Sequence, residues 1–255
     1  MISRSGSPPR STRDDDASVR LTLVRNATLI VELGERSLLV DPMLDDAGAR
    51  PPIANTANQI PNPTVPLPSP AEEIVRGLDA VLVTHRHRDH LDARGEELTP
   101  RGIPVFCQPE DEEALLDLGL DARPVESELT WEGIRIVRTP ARHGSGAIAE
   151  ELAPVSGFLL DDLYLAGDTV WYDDVETTIE RHRPRVAVVN AGGAEFLEGG
   201  PIVMGIDDVR EVAMRVPTVV AVHLEAINHC LLTRDALRAA VPGVLVPEDG
   251  ETLEL

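Results

Sequence analysis

The chain has 255 residues, with 44 Asp and Glu against 23 Lys and Arg, a formal net charge of −21 at pH 7; all of its basic residues are arginine. Such acidity argues against coating nucleic acid or docking on an anionic membrane, because both are bound through a dense basic face. A hydrophobic content of 42% excludes wholesale disorder, and with aromatics at 3% the core has to be mostly Val, Leu, Ile and Ala.

Residues 1–18 hold Ser, Pro and Arg and then Asp14-Asp15-Asp16, which reads as a flexible N-terminal arm preceding a single domain over 19–255. The arm has no apolar core of a secretory signal, and no run of about 18 apolar residues occurs anywhere, so a cytoplasmic protein is expected. Three short strands, Arg20–Val24, Thr28–Leu33 and Ser37–Asp41, form a meander punctuated by Asn26-Ala27 and Gly34-Glu35. Residues 51–70 carry seven prolines and read as a long loop forming a lid or pocket wall.

A short helix over Pro70–Arg76 and a buried strand over Asp79–Thr84 follow, then a helix over Pro109–Leu118 whose first turn is acidic. Trp131–Thr139, Val155–Leu160 and Tyr164–Ala166 read as strands, Asp173–His182 as a helix, and Val186–Asn190 as a buried strand. The remainder alternates: helix Asp207–Val216, strand Thr218–His223, helix Arg234–Ala240 capped by Thr233, and a closing strand Val244–Val246. Cys107 and Cys230 are far apart and read as buried thiols.

The chemistry concentrates in Thr84–His90, THRHRDH, directly after an apolar strand. In extended backbone His85 and His87 project to one side, while Asp89 and His90 fall where the chain turns and can address a second point. Imidazole and carboxylate donors suit Zn²⁺, Mn²⁺ or Fe²⁺. His143, Asp168 and His223 each follow the end of a separate apolar strand, so they can converge on one sheet edge. The glycine pair in Asn190–Glu195 follows another strand and could offer backbone N–H groups to a ligand.

The segments Thr84–Leu91 (THRHRDHL), Pro140–Gly144 (PARHG), Ala166–Thr169 (AGDT) and His223–Cys230 (HLEAINHC) together resemble the metallo-β-lactamase superfamily of metal-dependent hydrolases. The likeness is strongest to the ascorbate-6-phosphate lactonase-like branch. The resemblance implies an α+β fold, a four-layer αββα sandwich of two mixed sheets flanked by helices. It also implies two divalent ions, zinc in the first place with manganese or iron(II) compatible. His85, His87 and His143 would hold one ion, Asp89, His90 and His223 the other, and Asp168 would bridge them.

A hydroxide shared by two such ions would attack an ester, lactone or related bond of a small substrate, anionic ones included. Asp89, Asp168 and His229 are then the expected catalytic residues, with His229 acting as a general acid, a substrate-orienting group or a mere neighbour of the ligands. Arg142, Glu225, Asn228, His229, Asn55 and Asn58 are the candidate substrate contacts. A small-molecule partner is expected, nucleic acid and membrane are not, and a homo-oligomer is compatible with the sequence. The alternatives are a phosphodiesterase of the same fold and a metal-binding sensor without turnover.

Overall fold

The structure, a computed structural model, describes residues 19–255; the expected arm over 1–18 lies outside the described residues. Two sheets lie face to face. The first holds β1 (Val19–Arg25), β2 (Thr28–Leu33), β3 (Arg36–Val40), β4 (Ala80–Val83), β5 (Pro104–Cys107), β6 (Asp121–Pro124) and β13 (Thr252–Glu254), in the order β13-β1-β2-β3-β4-β5-β6. The second holds β7 (Glu128–Trp131), β8 (Ile134–Pro140), β9 (Ser156–Leu160), β10 (Leu163–Leu165), β11 (Val186–Asn190) and β12 (Thr218–Val222), in the order β12-β11-β10-β9-β8-β7. Both are mixed: β3 to β6 run parallel, as do β10 to β12, and the other pairings are antiparallel.

Alternation along each strand sorts side chains onto two buried faces. Leu38 and Val40 of β3 and Leu82 of β4 pack between the sheets with Ile136, Phe158, Leu160, Val188 and Val220. Leu39, Val81 and Val83 face outward, under α1 (Ala71–Ile74) and α3 (Glu112–Asp117). On the far side α5 (Asp173–His182), α6 (Ile206–Ala213) and α7 (Arg234–Ala240) cover Leu159, Tyr164, Ala187 and Val189. The layers are therefore helix, sheet, sheet, helix, the expected sandwich.

The structure differs from the sequence reading in several places. Trp131–Thr139 is not one strand: Glu132 and Gly133, with φ of 50° and 87°, turn the chain between β7 and β8. The closing strand at Val244–Val246 is only a single bridge, Val220 to Leu245, and β13 closes the chain against β1. The strands β5 and β6 and the helices α2 (Ala93–Leu98) and α4 (Ala147–Glu151) were not expected. Gly95 masks α2, yet it is needed there: a Cβ would run into the Pro42 carbonyl. The Pro109–Leu118 helix is a 3-10 turn, Pro109–Asp111, continued by α3.

Candidate metal centre

The parallel strands deliver their carboxyl ends to one edge. There β3 ends before Asp41, β4 before Thr84 and His85, β10 just before Asp168, β11 in Asn190 and β12 before His223; β8 ends shortly before His143. Asp41 and His223 take left-handed backbone, φ 46° and 61°, at these sharp strand exits. The loop after β4 turns tightly, with the His90 and Leu91 amides both donating to the His87 carbonyl at 2.9 Å.

Two donor groups result: His85, His87 and His143, and beside them Asp89, His90, Asp168 and His223, the ligand atoms within each group lying within 4.8 Å of one another. Asp168 faces both groups. Its Oδ2 lies 3.4 Å from His143 Nε2 and 4.0 Å from His85 Nε2, while its Oδ1 lies 3.2 Å from His90 Nε2 and 3.7 Å from His223 Nε2. Asp89 Oδ2 is 3.4 Å from His223 Nε2.

The imidazoles are oriented from behind. His90 Nδ1 donates to Asp41 Oδ2 at 2.7 Å and His143 Nδ1 to the Ile202 carbonyl at 2.8 Å. His85 Nδ1 donates to Thr84 Oγ1 at 3.1 Å, whose own proton goes to Asp41 at 2.7 Å. His223 Nδ1 donates to Cys230 Sγ at 3.3 Å, and Asn190 Nδ2 donates to Asp168 Oδ1 at 2.6 Å. With these four Nδ1 atoms occupied, Nε2 is left to ligate, and the Nε2 atoms of His85, His90 and His223 are buried without a hydrogen-bond partner. Orphaned, converging imidazole nitrogens around carboxylates fit a metal site, since unpaired buried nitrogens are otherwise costly.

The electrostatics agree. Burial works against the charge on Asp168, but His90, His223 and His143 outweigh it and hold the carboxyl well below its ordinary range. Asp89 is likewise held down, against burial, by the neighbouring His223 and His90. Without metal, His90 is raised to about 10: burial opposes its charge, and Asp168 and Asp41 overcome it. His223 also rises, chiefly through Asp168, while burial lowers His85 and His87.

Against this edge opens a cavity of about 490 Å³. His87, Asp89, His143 and His229 form its polar side, and Ile53, Leu152, Phe196, Ile202 and Ile227 an apolar wall, with Arg50, Arg86 and Arg88 also lining it. Residues 50–53 and Asn62 reach the cavity, so the proline-rich loop is a pocket wall. His229 is 4% exposed, its Nδ1 has no partner, and burial pushes the ring down to about 4.

Among the expected substrate contacts, only His229 lines this cavity with a free side chain. Asn228 spends its amide on the loop, bonding Ile53, Thr56, Asn58 and Asn62. Glu225 pairs with Arg234 at 2.6 Å, and Arg142 stacks on Tyr172 at 4.3 Å. Asn55 and Asn58 are exposed and bond through their carbonyls, to Leu197 N and to Asn228. In Asn190–Glu195 the Asn190 side chain reaches the site, and Gly192 packs beneath His223 and Cys230. Asp41 escaped notice, although it stands at a strand end as Asp168 does; Ile202 and Cys230 carry no such local signal.

The family profile described as a beta-lactamase superfamily domain matches residues 36–224. UPF0173 protein YddR of Bacillus subtilis is 36% identical over 92% of this chain and 99% of its own. The UPF0173 metal-dependent hydrolase of Methanocaldococcus jannaschii is 30% identical over 77% of this chain and 91% of its own. Among solved structures, the isothiocyanate hydrolase from Delia radicum gut bacteria is 34% identical, with a TM-score of 0.85 over 92% of this chain and 98% of that one. With the converging His and Asp donors, these likenesses establish that the chain belongs to the UPF0173 metal-dependent hydrolases of the metallo-β-lactamase superfamily.

Proposed function

We propose that the protein is a binuclear hydrolase acting on a small, uncharged carbon electrophile that bears an apolar substituent. His85, His87 and His143 would hold one divalent ion and Asp89, His90 and His223 the other, with Asp168 shared; zinc suits the donors best, manganese or iron(II) also fit. The observation that carries this reading is Asp168, whose two oxygens face the two histidine groups separately. Two divalent ions so held would supply hydroxide near neutral pH and draw charge from the electrophile.

The rest falls to the chain. The Asn190 amide keeps Asp168 aimed, and the Ile53, Phe196 and Ile227 wall seats the substituent and excludes water. His229, with its pKa pushed down to about 4, is neutral at pH 7. It therefore serves as an N–H donor that orients the substrate rather than as a cationic acid. The apolar wall favours an isothiocyanate or an apolar ester over an anionic lactone, and the likeness to an isothiocyanate hydrolase supports the same choice. Water adding across the C=N bond of an isothiocyanate puts its oxygen on carbon and one proton on nitrogen; the second proton follows to nitrogen as the C–N bond breaks, giving an amine and carbonyl sulfide. Two buried free thiols suit a reducing cytoplasm.

Metal analysis of the protein as isolated, and after stripping and reloading, tests this together with benzyl isothiocyanate, p-nitrophenyl acetate, γ-butyrolactone and bis-p-nitrophenyl phosphate. Two ions per chain and turnover of the isothiocyanate or the ester are expected. Full activity with one ion overturns the binuclear reading, and two ions without turnover of any compound leave a sensor. Selective cleavage of the phosphodiester moves the assignment to a phosphodiesterase.

A further inference from the structure

We propose that Asn228 is a positioning residue that sets substrate size, by locking the proline-rich loop in place as the apolar wall of the cavity. This rests on the hydrolase reading above for the meaning of size, though the lock itself does not. Asn228 sits between Ile227 and His229, both of which line the cavity, while its own side chain enters the loop. Its Oδ1 accepts from Ile53 N at 2.9 Å and Asn62 Nδ2 at 2.7 Å. Its Nδ2 donates to Asn58 O at 2.6 Å, Thr56 Oγ1 at 2.7 Å and Ile53 O at 3.3 Å. The pairing with Asn62 is reciprocal, because Asn228 N donates to Asn62 Oδ1 at 2.9 Å.

One amide thus gathers four loop residues that have no regular secondary structure to hold them. The neck of the loop is closed by two Arg50–Asn62 backbone bonds of 2.8 Å, and Thr64 N donates to Ala226 O at 2.8 Å. Asn228 is therefore the point at which the wall bearing Ile53 is tied to the segment bearing His223 and His229. Neither can shift against the other while this buried group stays satisfied, since unmaking its bonds strands several polar atoms at once. The distance from the apolar wall to the metal edge, and with it the longest substituent that fits, is set here.

The test compares wild type with N228A, N62A and the double variant. Hydrogen exchange is read at Asn62 and Leu197, whose amides bond backbone carbonyls of Arg50 and Asn55 and not the Asn228 side chain. In N228A these amides should exchange about tenfold faster, while Ala221 in β12 keeps its rate and metal content stays at the wild-type value. The ratio of KM for benzyl to methyl isothiocyanate, and of Kd for phenylacetamide to acetamide, should change about fivefold or more. N62A should be intermediate and the double variant no worse than N228A, because both act through one knot. Unaltered exchange at Asn62 and Leu197 overturns the lock, and faster exchange with unaltered ratios overturns its role in selection. A wild type inactive on every substrate counts against the hydrolase reading alone, as the exchange and Kd measurements need no turnover.

Discussion

Gly192→Ala tests whether the second metal group depends on close backbone packing. Gly192 follows β11, and its neighbours are the His223 carbonyl and Cys230, the residue that orients the His223 ring. A Cβ at position 192 would overlap the His223 carbonyl and stand 2.8 Å from Cys230 Sγ and 3.0 Å from Cys230 Cβ. Backbone cannot rotate away as a flexible side chain does, so His223 has to move. Overpacking of this kind costs about 2 kcal/mol, which for a domain of this size lowers the melting midpoint by roughly 4–8 °C. The more specific consequence is at the metal. His223 is displaced while His85, His87 and His143, on other strands, are not, so metal content should fall towards one ion per chain. Differential scanning calorimetry and plasma emission analysis read the two effects. Adding C230A removes the sulfur contact and leaves the carbonyl clash, so it should recover less than half of the loss. A G192A protein with the wild-type midpoint and full metal content would refute the packing argument.

Replacing Asn190 by Ala removes the 2.6 Å donor to Asp168 and should weaken metal binding by about 10–100-fold, measured by competition with a chelator. His229→Phe keeps the cavity filled but removes the N–H; kcat/KM should fall by about 10–100-fold at full metal content, and loss of metal would count against an orienting role. Arg25 is fully buried and donates to the Met43, Asp45 and Val65 carbonyls, so Arg25→Met strands three acceptors and should cost about 3 kcal/mol by urea unfolding. The pH dependence has a definite sign. In stripped protein the folded His90 is raised to about 10, so its stabilisation is complete below about 6.5 and is lost as pH rises through 10. Asp89 and Asp168 are lowered, and their stabilisation is lost instead on acidification below the ordinary carboxylate range. Metal held by His90 would displace its proton, so the gap in melting midpoint between loaded and stripped protein should widen from pH 6.5 to 10. A constant gap would refute it.

The sandwich was legible because its signals are periodic and local. Leu38-Leu39-Val40 and Val81-Leu82-Val83 are apolar on both faces, which marks strands covered on both sides, and α5, β11 and α7 fall on the expected residues. The donors were legible for a related reason: a histidine or aspartate just after such a strand has to sit at a sheet edge. What escaped was set by contact between distant segments. Asn228 beside a histidine looks like a substrate contact until the loop 166 residues earlier folds onto it. Glu225 looks equally free until Arg234 claims it. β5, with the four residues Pro104–Cys107, is too short to alternate visibly.

These long-range contacts make the site a property of the closed sandwich rather than of any one motif. THRHRDH supplies four donors, yet two of its rings are aimed through Asp41, just after β3, either directly or by way of Thr84. His143 is aimed by the Ile202 carbonyl and His223 by Cys230, both outside their own strands. The two sheets meet at Asp168: His85 and His90 come from the first and His143 and His223 from the second. Bringing those buried charges together without metal leaves orphaned nitrogens that the packing between the sheets has to overcome. Metal bound at these donors would therefore stabilise the interface between the sheets as well as the site. The same geometry separates the site from the overall charge of −21. The buried Asp89 and Asp168 are matched by imidazoles and would be matched further by bound metal, so their charge is met inside the site.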